Sequence, residues 1–138
     1  MSFDYINEIK KRGSSANPFF KTMGIDILEF KEGQGTVFME VSENMLNGGG
    51  WLQGGVYVSL ADEAMALAIC TTLEEGERIA TITETTRFYR GVNSGTLFAE
   101  GRVLKKGRRT IFAKGIVRKD TIGGDICAEC DAVFSLIR

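Results

Sequence analysis

From Val56 to Thr72 the chain reads VYVSLADEAMALAICTT, with no glycine or proline and with small or aliphatic side chains around nearly the whole helical circumference. The pattern predicts a helix over 55–72 with no polar face to turn toward water, so it must be covered on almost every side. Beyond Gly76 the hydrophobic period becomes two and stays two to the end. Residues 79–88, 96–104, 110–117 and 126–137 each read as a strand, and the last is clearest, with Ile126, Ala128, Cys130, Ala132, Phe134 and Leu136 on one face. A helix apolar all round, followed by four successive strands, predicts an α+β fold in which a curled antiparallel sheet wraps one long central helix.

The region before the helix adds to this plan. Phe3, Ile6 and Ile9 recur at helical spacing over 2–12, and Gly13-Ser-Ser-Ala-Asn-Pro18 ends that helix. A β-prone run, Gly24-Ile-Asp-Ile-Leu-Glu-Phe30, and a second, Thr36-Val-Phe-Met-Glu-Val41, flank the turn Glu32-Gly-Gln-Gly35 and predict a hairpin over 25–41. No repeat or linker interrupts the 138 residues, so a single domain over 1–138 is expected, long enough to bury about two-thirds of its unfolded surface.

Composition removes whole classes of function. The chain has no histidine, which excludes Ser-His-Asp and Cys-His nucleophile activation and histidine metal sites within it. Acid-base chemistry must come from carboxylates, lysine, tyrosine or water. Seventeen basic against 18 acidic side chains argue against a nucleic-acid or polybasic membrane surface. Three cysteines make no disulfide framework, and MSFDYINEIKKRG lacks the apolar run of a signal peptide. The longest uncharged stretch, 44–61, holds five glycines and is no membrane span. A cytoplasmic protein is expected.

Few residues stand out chemically. Asp62 lies mid-helix on a face with Val58, Met65, Ala66 and Ile69, where a carboxylate needs either a partner or a function. Glu63, beside Ser59 and Cys70, reads as a structural or exposed acid. Gly50-Trp-Leu-Gln-Gly-Gly55 opens the helix, where free amides and the positive end of the dipole can bind an anion or polarise a carbonyl. It lacks the Gly-Lys-Ser/Thr ending of a nucleotide phosphate loop. Cys127-Ala-Glu-Cys130 falls within a strand, with no second pair and no histidine to complete a zinc site. Lys105-Lys-Gly-Arg-Arg109 and Arg90 lie at strand turns and read either as solvated charge or as a grip for an anionic tail.

The element order together with Asn47-GGGWLQ-Gly54-GVYVSL-Ala61-Asp62-Glu63-Ala64 resembles hotdog-fold acyl-CoA thioesterases, in particular the PaaI-like (phenylacetyl-CoA thioesterase) group. Asn47, Gly54, Gly55 and Asp62 match that group's spacing residue for residue. The resemblance implies that Asp62 is the general base or nucleophile and that the Gly54 amide polarises the thioester carbonyl. It further implies that Asn47 holds the thioester or the water, and that Thr81, or Thr83 two residues on, orients water. Arg90, Lys105, Lys106, Arg108 and Arg109 would bind the phosphates of coenzyme A. The latter enters as part of the substrate, so no separate cofactor and no metal are implied. Gln53 departs from the group, which usually carries histidine there; a carboxamide can donate a hydrogen bond to a carbonyl but cannot shuttle a proton.

Helix geometry adds a constraint. Gly54 and Asp62, eight residues apart, are separated by about 12 Å along a helix rising ~1.5 Å per residue. One chain cannot easily present both to the same carbonyl, whereas two antiparallel helices in a two-fold dimer can. A homodimer is expected on this ground, and a homotetramer from the resemblance. The competing reading is a non-catalytic acyl-CoA-binding protein of the same fold, which Gln53 favours. A dehydratase suffers from the missing histidine, and a DNA-binding regulator would need a further helical domain.

Overall fold

A computed structural model describes all residues, 1–138. The N-terminal helix α1 (Phe3–Arg12) turns Ile9 into the core and gathers Lys10, Lys11 and Arg12 in its last turn, where they oppose the negative end of the dipole. A 3₁₀ turn (Gly13–Ala16) leads to a second short helix, α2 (Pro18–Met23). The sequence reading treats Asn17-Pro18 only as a breaker. In the structure the same pair starts α2: the Asn17 carboxamide caps Phe19 N at 3.0 Å and Pro18 takes the first turn, while Gly24 ends the helix in the left-handed region at φ +71°.

Strands β1 (Ile25–Lys31) and β2 (Gln34–Glu40) form the expected hairpin. The central helix α3 spans Gly54–Cys70, and β3 (Arg78–Phe88), β4 (Thr96–Lys106), β5 (Thr110–Lys119) and β6 (Ile126–Ile137) follow. All six strands join one antiparallel sheet in the order β1-β2-β4-β5-β6-β3. The chain therefore crosses by way of α3 from the β2 side to the far edge, where the outer side of β3 is bridged by Met1 and Ser2 at Arg78–Ile79 and is unpaired beyond them. This is the hotdog arrangement. Leu60, Ala64, Met65, Leu67, Ala68 and Ile69 of α3 are fully buried.

Three glycines explain how closely helix and sheet approach. Gly35, Gly101 and Gly115 sit side by side on β2, β4 and β5. A methyl group on Gly101 would stand 2.1 Å from the Ala64 carbonyl oxygen, one on Gly35 2.9 Å from Leu67 Cγ, and one on Gly115 3.2 Å from Ala61 Cβ. Together they form a trough across the sheet in which α3 lies. Because the obstacle at Gly101 is helix backbone, no rotamer change relieves it. Gly101→Ala is therefore expected to destabilise the fold by about 3 kcal/mol or more, at the upper end for overpacking. Urea denaturation checks this, and a loss below ~1 kcal/mol would contradict the trough.

One register detail departs from strict alternation. Pairing slips between Val117 and Arg118 opposite Ala128 and Ile126, leaving Cys127 as the extra residue. Ile126, read as facing inward, is 37% exposed, and Cys127 is buried in its place. All three cysteines are buried and free. No helix is long and apolar enough to cross a membrane.

Candidate active site

The loop before α3 is built by Asn47. Its Oδ1 accepts from Gly49 N at 2.8 Å and Trp51 N at 3.2 Å, and its main chain closes on Trp51 O and Gly50 N. Gly50, at φ +85°, makes the reversal. Asn47 Oδ1 is thus occupied within the loop, and only Nδ2 remains to donate outward. Leu52 N binds Val92 O and Gln53 N binds Met45 O, so the loop is fixed to its neighbours up to the first turn of α3. Gln53 caps α3 in an extended conformation (φ −61°, ψ 133°), and its exposed side chain makes no capping bond.

Gly54 and Gly55 follow, and neither amide finds an acceptor within the chain. These two N–H groups stand at the positive end of a 17-residue helix. Gly54 opens into a concavity of about 310 Å³ lined by Leu52, Tyr57, Phe88, Tyr89, Arg90 and Gly91. Tyr57 stacks edge-on against Phe88, and its hydroxyl accepts from Val92 N at 3.1 Å and donates to Arg90 O at 3.3 Å, which fixes this wall.

Asp62 lies two turns along α3, half-buried in a separate crevice with Met1, Ala66, Ile79, Ala80, Thr81 and Phe134. Thr81 Oγ1 donates to Asp62 Oδ1 at 3.3 Å. Thr83 does not share this position: it pairs with Val133, which lies on the other face of β6 from Phe134, the partner of Thr81. The Gly54 concavity and the Asp62 crevice have no residue in common.

On the far side of Asp62, Glu63 is buried and accepts from Asn17 Nδ2 at 3.1 Å; that nitrogen also donates to Tyr5 Oη at 2.9 Å. Glu63 is therefore the structural acid of the pair, not an exposed one, and fastens α1 and the α2 cap to α3. Burial, reinforced by the nearby Asp62 charge, lifts its carboxyl to about 7 against the lowering effect of the Asn17 bond. Burial also pushes the Tyr5 hydroxyl up to about 12.

The five basic candidates do not converge within one chain. Arg90 borders the Gly54 concavity and pairs with Asp125. Lys105–Arg109 lie at the opposite end of α3. There Lys106 Nζ donates to Thr72 O at 2.7 Å and to Glu77 Oε1 at 3.0 Å, a tie across the end of the helix. Lys105, Arg108 and Arg109 are exposed. Among the large apolar side chains near the loop and α2, Phe20 and Tyr57 belong to the core, Met45 is half-buried, and Phe19 and Trp51 are exposed. The sequence reading missed Phe88 and Glu84. Phe88 faces Gly54, with ring atoms 3.5–3.6 Å from where a side chain would begin, and Glu84 lies against Asp62. No three His, Cys, Asp or Glu side chains gather in a way that could hold a metal ion.

Comparison with known proteins agrees with the fold. The family described as Thioesterase superfamily matches residues 49–125, more than half of the chain, from the Asn47 loop to the start of β6. The acyl-coenzyme A thioesterase PaaI of Escherichia coli (strain K12) is 38% identical over 91 residues, covering 65% of this chain and 63% of that protein. The 1,4-dihydroxy-2-naphthoyl-CoA hydrolase of Listeria monocytogenes is 27% identical over 90 residues, covering 65% of this chain and 73% of the relative. The crystal structure of a thioesterase from Haemophilus influenzae superposes with a TM-score of 0.80 at 27% identity, covering 88% of this chain and 84% of the other.

Proposed function

The chain belongs to the thioesterase superfamily, whose chemistry is thioester hydrolysis, and from that premise we propose that it cleaves an acyl-CoA to the free acid and coenzyme A in a site shared across a two-fold dimer. One observation carries the reading. The unbonded Gly54 amide and the Thr81-held Asp62 carboxylate lie in separate concavities of one chain, beside the edge strand β3, whose outer side is unpaired beyond Ile79. Along that edge Ile82, Phe88 and Tyr89 are each more than half exposed, an apolar strip suited to a second copy. Two-fold pairing with antiparallel helices brings Asp62 of one subunit to Gly54 of the other, and the C-terminal end of one α3, with its basic turn, to the N-terminal end of its partner.

In such a site the Gly54 amide donates to the thioester carbonyl oxygen and stabilises the negative charge that develops there. Asp62 either takes a proton from the attacking water or attacks the carbonyl carbon itself, forming an anhydride that water then opens. In both routes water ends on the acyl carbon, the C–S bond breaks, and coenzyme A leaves with the proton. Thr81 holds one Asp62 oxygen and so orients the other. Asn47 Nδ2 and the Gln53 carboxamide are the remaining donors at the mouth. Arg90, Lys105, Arg108 and Arg109 supply positive charge for the coenzyme A phosphates, while Lys106 reaches them only by releasing Glu77.

Gln53, exposed and unable to shuttle a proton, supports the second reading of an acyl-CoA-binding protein without turnover. A hydrolysis screen over short, long and aromatic acyl-CoAs, with detection of free thiol, separates the two. Turnover of at least one class is expected. Saturable binding with no thiol release would establish the alternative.

A further inference from the structure

Strict alternation from Ile79 would send Thr81, Thr83 and Thr85 toward α3 and Glu84 away from it. The strand does not alternate strictly: pairing slips between Thr81 and Thr83, with Thr81 opposite Phe134, Thr83 opposite Val133 and Glu84 opposite Ala132. Ile82 is the extra residue of this bulge and is 57% exposed. Phe134 and Ala132 both face α3, so Thr81 and Glu84, three residues apart, point inward together. A bulge beside a site characteristically re-aims a side chain in this way.

The surroundings of Glu84 are acidic. Asp62 faces it from α3, with the Glu63 charge acting from beyond, the Cys130 thiol lies behind it on β6, and its own strand contributes the Thr81 and Thr86 hydroxyls; no lysine or arginine charge acts on it. The Met1 ammonium is held on Ile79 O at 3.2 Å and acts on Glu63. Glu84 Oε1 is buried with no donor in reach. Two ionised carboxylates cannot hydrogen-bond each other, so the contact with Asp62 becomes a bond only when one of the two carries a proton.

Building on the thioesterase reading, we propose that Glu84 is a positioning residue. It carries the proton shared by the two carboxyl groups and donates it to Asp62, holding that carboxylate ionised and aimed at the substrate. Burial first, and then the contact with Asp62 and the charges of Asp62 and Glu63, push the Glu84 carboxyl up to about 8. The proton is thus present at neutral pH and lost as pH rises through about 8. Above that, Asp62 loses a donor and gains a negative neighbour.

The test has two parts. In the wild type, kcat is expected to fall as pH rises through about 8 while KM stays level. Glu84→Gln keeps a donor that does not titrate, so it should remove the alkaline decline and stay within a few-fold of wild-type kcat at pH 7. Glu84→Ala should lose about ten- to hundredfold in kcat at every pH, the worth of a hydrogen bond to a charged group. An alkaline decline that persists in Glu84→Gln would overturn the proposal. Independently of activity, carboxyl-carbon NMR should show Glu84 protonated at pH 7 in the wild type. In Asp62→Asn it should titrate lower, though still above its ordinary range because burial remains. A Glu84 that titrates in the ordinary carboxylate range beside an intact Asp62 would also overturn it. If the wild type hydrolyses no thioester, the functional reading fails and the titration alone decides whether the proton is shared.

Discussion

Asp62→Asn is expected to lower kcat/KM for an accepted acyl-CoA by at least ~10²–10⁴-fold while leaving fold and acyl-CoA binding close to wild type, because it removes a positioned base or nucleophile. The chain holds no histidine to take over. Burial, the largest cause of the raised Glu84 carboxyl, persists in the variant, so Glu84 stays above the ordinary carboxylate range even without the Asp62 charge. An amide fills the same volume as the carboxylate and still accepts from Thr81 Oγ1, so the substitution separates charge from packing. Steady-state kinetics beside calorimetric binding provides the check. A variant within a few-fold of wild type would reduce Asp62 to a helix carboxylate satisfied by Thr81.

Gly54→Pro is expected to lower kcat by about 10²–10³-fold, the usual cost of one missing oxyanion donor, with little change in Tm. Proline deletes the amide proton and nothing else the fold uses. Gly54 N has no acceptor within the chain, proline is well tolerated in the first turn of a helix, and Gln53 already has the extended backbone that a residue before proline requires. The new side chain would meet Phe88 at 3.5 Å, an ordinary contact. Kinetics with a parallel thermal melt distinguishes the outcomes: a stable variant with wild-type turnover would remove the Gly54 amide from the chemistry.

The parts of this molecule that were readable in advance are those where burial imposes a period. Helix α3 is apolar all round because sheet and neighbours enclose it, and β4, β5 and β6 alternate because one face meets that helix. The placement of Asp62 and Gly54 followed from spacing along one regular element. What escaped were the interruptions of periodicity. The Ile82 bulge turns Glu84 inward and Thr83 outward, and the Cys127 bulge exposes Ile126. Each depends on pairing with a strand some fifty residues or a hairpin away, and no local residue type announces it. The Asn17-Pro18 pair has a meaning that only context supplies, as the end of one helical region and the start of another. Lys106 looked like its exposed neighbours until Glu77 and the Thr72 carbonyl were found at its ammonium. The glycines of the trough were legible as residues but not as a row, because their alignment is set by strand register.

The central claim is that each site draws Asp62 from one subunit and Gly54 from the other. The most direct test co-assembles Asp62→Asn with Gly54→Pro, each nearly inactive alone. In random two-fold dimers half are mixed, and each mixed dimer carries one intact site and one doubly defective site, so about a quarter of wild-type activity should return. If co-assembled dimers form but activity stays at the level of the separate variants, Asp62 and Gly54 do not serve a common site across the interface.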